Sequence, residues 1–280
     1  MSIWEYRYHS PVLVEVAEHR RRHAPWLPFH PGACTFCDSE LEVVRREAAI
    51  VTERWRFPCP GTVTLRLCQT CGWWTTAFDY TVDLGLDVFV HTHSTSGALR
   101  TLDLAEVSIP IDELQRYLIA RYSDRFDVDP KKYEDLVAGV FRNCHYEVRA
   151  TSYSGDEGID VFAFDGPSDT LVGVQVKRWR NKIKAEQIRS FAGAILLSGA
   201  TRGVYVTAAE YQSGAYRTAD RYTAMGMPIT LWDAAAFYDR LKIAVQDAYA
   251  SVEDPAAPFA PFWQDPSRMP QVMSEGCGRG

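Results

Sequence analysis

Ser154-Gly155-Asp156-Glu157-Gly158-Ile159-Asp160-Val161-Phe162-Ala163 and Val172-Gly173-Val174-Gln175-Val176-Lys177 read as two adjacent β-strands joined by a turn. In the second run the valines alternate with Gly173, Gln175 and Lys177, so Gln175 and Lys177 emerge on one face of the strand. Asp160 closes a glycine-punctuated loop and enters a strand of its own. Asp165-Gly166-Pro167-Ser168-Asp169 is a turn able to fold the two strands together. A carboxylate held beside an amide oxygen and a lysine is a seat for a hard divalent cation and a scissile phosphate.

Working outward, Asp129-Pro130 is a helix start, an N-cap aspartate followed by proline in the first turn. Tyr133, Leu136, Val137, Val140 and Phe141 then follow helical spacing and predict a core-facing stripe, with Glu134 at its edge. Tyr146 to Ala150 reads as a first strand. Beyond the central pair come a helix over Ala185–Leu197, a buried strand over Arg202–Thr207, a helix over Ser213–Ala224, a strand over Pro228–Trp232, and a helix capped by Asp233 and running to Ala244. The order α-β-β-β-α-β-α-β-α predicts an α/β fold, a three-layer α/β/α core around a mixed sheet.

Asp160, fourteen intervening residues and Gln175-x-Lys177, preceded by Gly-Asp-x-Gly-Ile-Asp and a helix bearing Glu134, resemble the Mrr-type branch of the restriction-endonuclease-like, PD-(D/E)xK, nucleases. That branch has Gln where most relatives have Asp or Glu, and the resemblance spans residues 110 to 245. It implies a restriction-endonuclease-like core and a metal-dependent endonuclease that hydrolyses DNA phosphodiester bonds in bacterial restriction or anti-phage defence. It also promotes Glu134, otherwise an ordinary helix-surface acid, to a catalytic set with Asp160, Gln175 and Lys177. Asp160 and Gln175 would hold Mg²⁺, and Gln175, one charge poorer than a carboxylate, would hold it weakly or with help from DNA phosphate. Lys177 would orient or deprotonate the attacking water, or stabilise the transition state. Cys144-His145-Tyr146 stands where relatives commonly have glycine before the aromatic residue.

Lys177-Arg178-Trp179-Arg180-Asn181-Lys182-Ile183-Lys184 carries five cations and no acid. Arg178, Trp179, Arg180, Lys182 and Lys184 are candidate DNA-backbone contacts, with Gln187 one turn further on; a solvated loop is the alternative.

The N-terminal part carries a second signal. Cys34-Thr-Phe-Cys37 and Cys68-Gln-Thr-Cys71-Gly72 supply the four thiolates of a tetrahedral Zn²⁺ site. Thirty residues separate the pairs, more than the ~15–20 usual for such sites, and the alternation from Val63 to Leu67 hangs the second pair on a strand. This resembles a zinc ribbon with an enlarged hairpin. Trp73, Trp74, Phe78 and Tyr80 are read as the core of a small metal-held fold, with base stacking the alternative. His91 and His93 are read as solvent-facing strand residues, and Ser94-Thr95-Ser96-Gly97 as a turn. His19 to His23 form a basic cluster, and Pro25, Pro28 and Pro31 break any helix. The expected organisation is a β-rich zinc-ribbon-like domain over 1–107, a connecting helix over 108–128, the nuclease domain over 129–250 and a flexible tail over 251–280.

At 280 residues and 46% hydrophobic, the chain can bury one large core or two smaller ones. The formal charge of −6 disfavours indiscriminate coating of nucleic acid. No apolar run approaches the ~18 residues of a membrane span, and no signal-like start is present, so a cytoplasmic protein with metal-bound cysteines is expected. DNA is the expected partner, with a defence-system protein as a further one. Because one centre cuts one strand, double-strand cleavage implies a homo-oligomer. The competing readings are a zinc-ribbon binding module on a non-cleaving nuclease-like fold, and an RNA or nucleotide hydrolase using the same site.

Overall fold

Asp129 starts the helix α2 (Pro130–Asn143) as its neighbours predict: its Oδ1 accepts from Lys132 N at 3.0 Å, with Pro130 in the first turn. Tyr133, Leu136, Val137, Val140 and Phe141 are all buried, and each such side chain contributes roughly 1.5–3 kcal/mol by leaving water. This computed structural model describes residues 3–15, 31–51, 58–84, 88–151, 158–250 and 252–256. The basic cluster at 19–23, Pro25, Pro28, residues 154–157 of the loop before Asp160, and the tail from 257 lie outside the described residues. Two units emerge, Leu102–Ser251 and Met1–Thr101 with Val252–Gly280.

The Leu102–Ser251 unit opens with α1 (Ile111–Ala120) and a 3₁₀ turn over Tyr122–Phe126, then α2. There follow β6 (Glu147–Ala150), β7 (Val161–Asp165), β8 (Thr170–Lys177), α3 (Ala185–Ser198), β9 (Arg202–Thr207), α4 (Ser213–Ala224), β10 (Ile229–Trp232) and α5 (Ala234–Tyr249), which matches the expected order element by element. The strands form one mixed sheet in the order β10-β9-β8-β7-β6. β6, β7 and β8 are antiparallel neighbours, whereas β8, β9 and β10 run parallel. The two crossovers through α3 and α4 step the same way along the sheet, so right-handed connection places both helices on one face. Ile188, Phe191 and Ile195 of α3 join Ala215 and Ala219 of α4 and Tyr205 of β9 in the apolar layer there. Gly173 and Gly203 pair across β8 and β9 beneath α3, where a Cβ would come within 2.6 Å of Ile195 Cδ1 and 2.7 Å of Phe191 Cε1 respectively. α2 and α5 pack together and against the sheet as the third layer, with Tyr133 against Phe237 and Phe141 stacked on Trp232.

The other unit is more regular than a small ribbon. Five antiparallel strands, β1 (Trp4–Glu15), β2 (Glu42–Val51), β3 (Cys59–Leu67), β4 (Trp74–Asp83) and β5 (Val88–Leu99), form a sheet in the order β1-β5-β4-β3-β2. The cysteine pairs flank the open end of the β2–β3 hairpin, where Glu42 faces Leu67. The long spacing between them is therefore two strands, out and back.

Two expectations fail here. Ser94 to Gly97 make no turn but continue β5: all four pair with β1, and Ser94 to Ser96 pair also with Ala77 to Thr75 of β4. A central strand tolerates small polar residues when both neighbours satisfy its backbone, and at Gly97 a Cβ would meet Trp4 Cβ and Trp74 Nε1 at 3.3 Å, a tight fit that favours a residue without a side chain. His93 is also not solvent-facing: it is buried, with its ring 5.9 Å from that of Tyr80, while half-buried His91 stacks at 5.0 Å. Trp73, Trp74, Phe78 and Tyr80 are buried, in keeping with the core reading. Among the described residues no helix is long and apolar enough to cross a membrane.

Candidate active site

Val161 pairs with Val174 in the β7–β8 ladder, so extending the register by one residue sets Asp160 across from Gln175. The parallel register then sets Gln175 beside Tyr205 and Lys177 beside Thr207 of β9. Asp160, Gln175 and Tyr205 thus form a row across three strands, and Lys177 lies one pleat further along the face shared with Gln175.

Asp160 is buried, and its backbone is tied on both sides. Its N–H donates to Val174 O at 2.9 Å, and its carbonyl accepts from Thr151 N and Oγ1, each at 3.0 Å. Thr151 Oγ1 also donates to Ile159 O at 2.8 Å, so one threonine pins both residues that lead into β7. The carboxylate takes over a ladder position, Oδ2 accepting from Val176 N at 2.6 Å. A buried carboxylate with a backbone donor of this kind keeps a set orientation. Gly158 turns the chain into this segment at φ +89°, and a Cβ there would sit 3.5 Å from Gln175 Nε2. Burial pushes the Tyr205 phenol above its usual range, and the charge of Asp160 adds to the shift.

Glu134 lies in the first half of α2, the helix that packs on β7 and β8. Its Oε2 accepts from Lys131 Nζ at 2.8 Å. Burial would lower the Lys131 ammonium, but Glu134 first, then Asp135 and Asp160, outweigh it and hold it above its ordinary range. Lys131 was not among the residues singled out from sequence. Its one available signal was the i,i+3 spacing to Glu134, which is commonplace on helices.

The basic window is less bare than its composition suggests. Acids from elsewhere in the chain reach it: Arg180 pairs with Asp127 at 3.4 Å and Lys182 with Glu210. Arg180 also lies over the Phe126 ring, 4.5 Å from its centroid. Arg178, Trp179, Arg180 and Asn181 line an open depression in which Trp179 is 48% exposed. Lys184 is exposed at the N-cap of α3. Gln187 has a structural task there, its Oε1 accepting from Lys184 N at 3.0 Å.

In the N-terminal unit the Sγ atoms of Cys34, Cys37, Cys68 and Cys71 all lie within 4.8 Å of one another, a group able to hold a metal ion. Cys34 and Cys71 approach to 3.5 Å, as do Cys37 and Cys68. Each knuckle aims a backbone N–H at its first sulfur, Phe36 N at Cys34 and Cys71 N at Cys68. Left-handed residues close both turns, Asp38 at φ 57° and Gly72 at φ 78°. Hydrogen bonds from Cys34, Cys68 and Cys71 pull the Cys37 thiol below its usual range, while the other three thiols push Cys71 up.

Residues 126–241 match the Mrr_cat family, described as restriction endonuclease, and this stretch contains Glu134, Asp160, Gln175 and Lys177. A 94-residue stretch is 32% identical to the type IV methyl-directed restriction enzyme EcoKMrr of Escherichia coli strain K12, covering 31% of this chain and 31% of that protein. The chain thus spans under a third of that relative's length. Two solved structures are similar in outline. The DNA modification-dependent restriction endonuclease AspBHI is 15% identical, with a TM-score of 0.36 over 66% of this chain and 59% of that one. MspJI restriction endonuclease in complex with a 27-mer oligonucleotide is 18% identical, with a TM-score of 0.33 over 60% of this chain and 39% of that one.

Proposed function

We propose that the Leu102–Ser251 unit is a divalent-metal-dependent endonuclease that hydrolyses DNA phosphodiester bonds in restriction or anti-phage defence. The observation that carries this reading is the row of Asp160 and Gln175 with Lys177 on the same face. It lies within the stretch that matches the restriction-endonuclease family.

The donor set fits a hard cation. A carboxylate and an amide oxygen are oxygen ligands, and their small number leaves places for water and substrate phosphate, as Mg²⁺ prefers. When bound, Mg²⁺ lowers the pKa of a coordinated water and neutralises charge on the scissile phosphate. Asp160, held by Val176 N–H, is the fixed anionic ligand, and the Gln175 amide oxygen is its neutral companion. Lys177 sets a compact positive charge against the phosphate and orients the attacking water. Glu134 acts from α2 through water or a second ion. Arg178, Trp179, Arg180, Lys182 and Lys184 border the DNA path, Gln187 helping to shape its edge.

The four cysteines suit structural Zn²⁺. Tetrahedral zinc with Zn–S of ~2.3 Å spaces its sulfurs by about 3.8 Å, near the 3.5 Å approaches seen here. Thiolates kept for metal fit a reducing, cytoplasmic setting. Double-strand cleavage would use two copies of the chain, and a defence-system partner is a further candidate to switch it on.

The test is nicking of plasmid DNA in Mg²⁺, run on methylated and unmethylated substrate because EcoKMrr is methyl-directed. Cleavage lost in Asp160→Ala and in Lys177→Ala supports the centre. Undiminished cleavage in both variants sinks it. Metal-independent DNA binding without cleavage, lost in Cys68→Ser, would point instead to a binding module.

A further inference from the structure

We propose that Lys131 is a positioning residue of this centre, the built-in counter-charge that a divalent ion must overcome before it can bind. The inference rests on the reading of Asp160 and Glu134 as the metal-side carboxylates, and goes beyond it by assigning what regulates occupancy of the site.

Three observations converge on Lys131. Its ammonium lies 2.8 Å from Glu134 Oε2, and the two side chains are only 31% and 20% exposed, so the pair is set into the wall of the unit. It stands in the first turn of α2, on the helix that packs against β7 and β8. The charges of Asp135 and Asp160 also reach it. Among the described residues, the only group of three or more acids, cysteines or histidines close enough to share an ion is the cysteine cluster. The candidate centre is therefore poor in negative charge from the start. Asp160 and Glu134 contribute two negative charges, which Lys131 and Lys177 offset. Gln175 adds none.

A dication entering so nearly balanced a site gains little until a phosphate arrives with its own charge. Removing the Lys131 charge leaves one net negative charge that the intact site lacks. It also removes a direct repulsion acting in partly buried surroundings, where charges are screened less than in bulk water. The opposing effect, loss of the hydrogen bond that orients Glu134, is small, because helix pairs three residues apart hold their partners weakly. The charge effect wins, so the free protein should bind metal more tightly without Lys131.

The experiment measures Mn²⁺ binding to the zinc-loaded, full-length protein without DNA, by electron paramagnetic resonance or calorimetry. The wild type is compared with Lys131→Met, Lys131→Arg and Asp160→Asn. Lys131→Met is expected to tighten binding on the order of tenfold. Lys131→Arg, which keeps the charge, should stay within about threefold of the wild type. A purely structural lysine would instead lower the unfolding midpoint in the Met variant and leave affinity where it was. Unchanged or weaker Mn²⁺ affinity in a folded Lys131→Met protein overturns the inference alone. Wild-type protein that binds no Mn²⁺, or binding that survives Asp160→Asn, overturns the reading of the metal centre and this inference with it.

Discussion

Gln175 sets how much negative charge the candidate centre can offer a cation. It lies across from Asp160 and beside Tyr205, and its half-buried side chain shares a strand face with Lys177. Replacing the amide by a carboxylate of the same shape adds one charge with little change in packing. Gln175→Glu is therefore expected to tighten Mg²⁺ or Mn²⁺ binding on the order of tenfold, measured by calorimetry, and to lower the Mg²⁺ concentration giving half-maximal plasmid cleavage. Unchanged affinity would mean that Gln175 does not face the ion. The alternation of valines made Gln175 and Lys177 legible as a pair, because strand geometry alone puts i and i+2 on one side. Lys131 and Thr151 were not legible. Their importance depends on hydrogen bonds and charges of Glu134, Asp160 and Ile159 that only the folded arrangement brings to them.

His145 shows how an element boundary tolerates an imperfect residue. It follows α2 in the left-handed region at φ 65°, with Tyr146 N donating back to Phe141 O at 3.1 Å and His145 N to Arg142 O at 2.9 Å. This is a helix stop of the kind in which glycine avoids the Cβ clash. The resemblance to Mrr-type sequences flagged this very position as lacking glycine. His145→Gly is expected to raise stability by about 0.5–1 kcal/mol, seen as a higher urea midpoint at unchanged slope. A lower midpoint would show that the histidine ring makes a compensating contact. β5 teaches the opposite lesson. Ser94 to Gly97 have turn-like composition, yet all four pair with β1 and Ser94 to Ser96 pair with β4 as well. Local propensity gave way to two neighbouring strands that together satisfy its backbone.

For the whole molecule, the two units place different chemistries in different parts of the chain. The β2–β3 hairpin brings the cysteine pairs to one end, so a bound ion would close that end of the sheet. Binding energy at such sites is folding energy. Removing metal with a chelator, or Cys68→Ser, should lower the unfolding transition of the N-terminal unit by roughly 10–25 °C, equivalent to a few kcal/mol. The transition of the Leu102–Ser251 unit should stay in place. Elemental analysis of the purified protein should return one zinc per chain, and a protein equally stable without metal would refute the structural role.

By itself, the amino-acid sequence determined the order of helices and strands from Asp129 onward, the pairing of Gln175 with Lys177, and the four cysteines as a set. Each of these follows from spacing along the chain or from residue chemistry. Only the tertiary structure decided that the N-terminal strands form one five-stranded sheet, that Asp127 and Glu210 meet the basic window, and that Lys131 shares the surroundings of Glu134 and Asp160. These depend on groups far apart in sequence, and no periodicity records which distant charges a fold will bring within reach of one another.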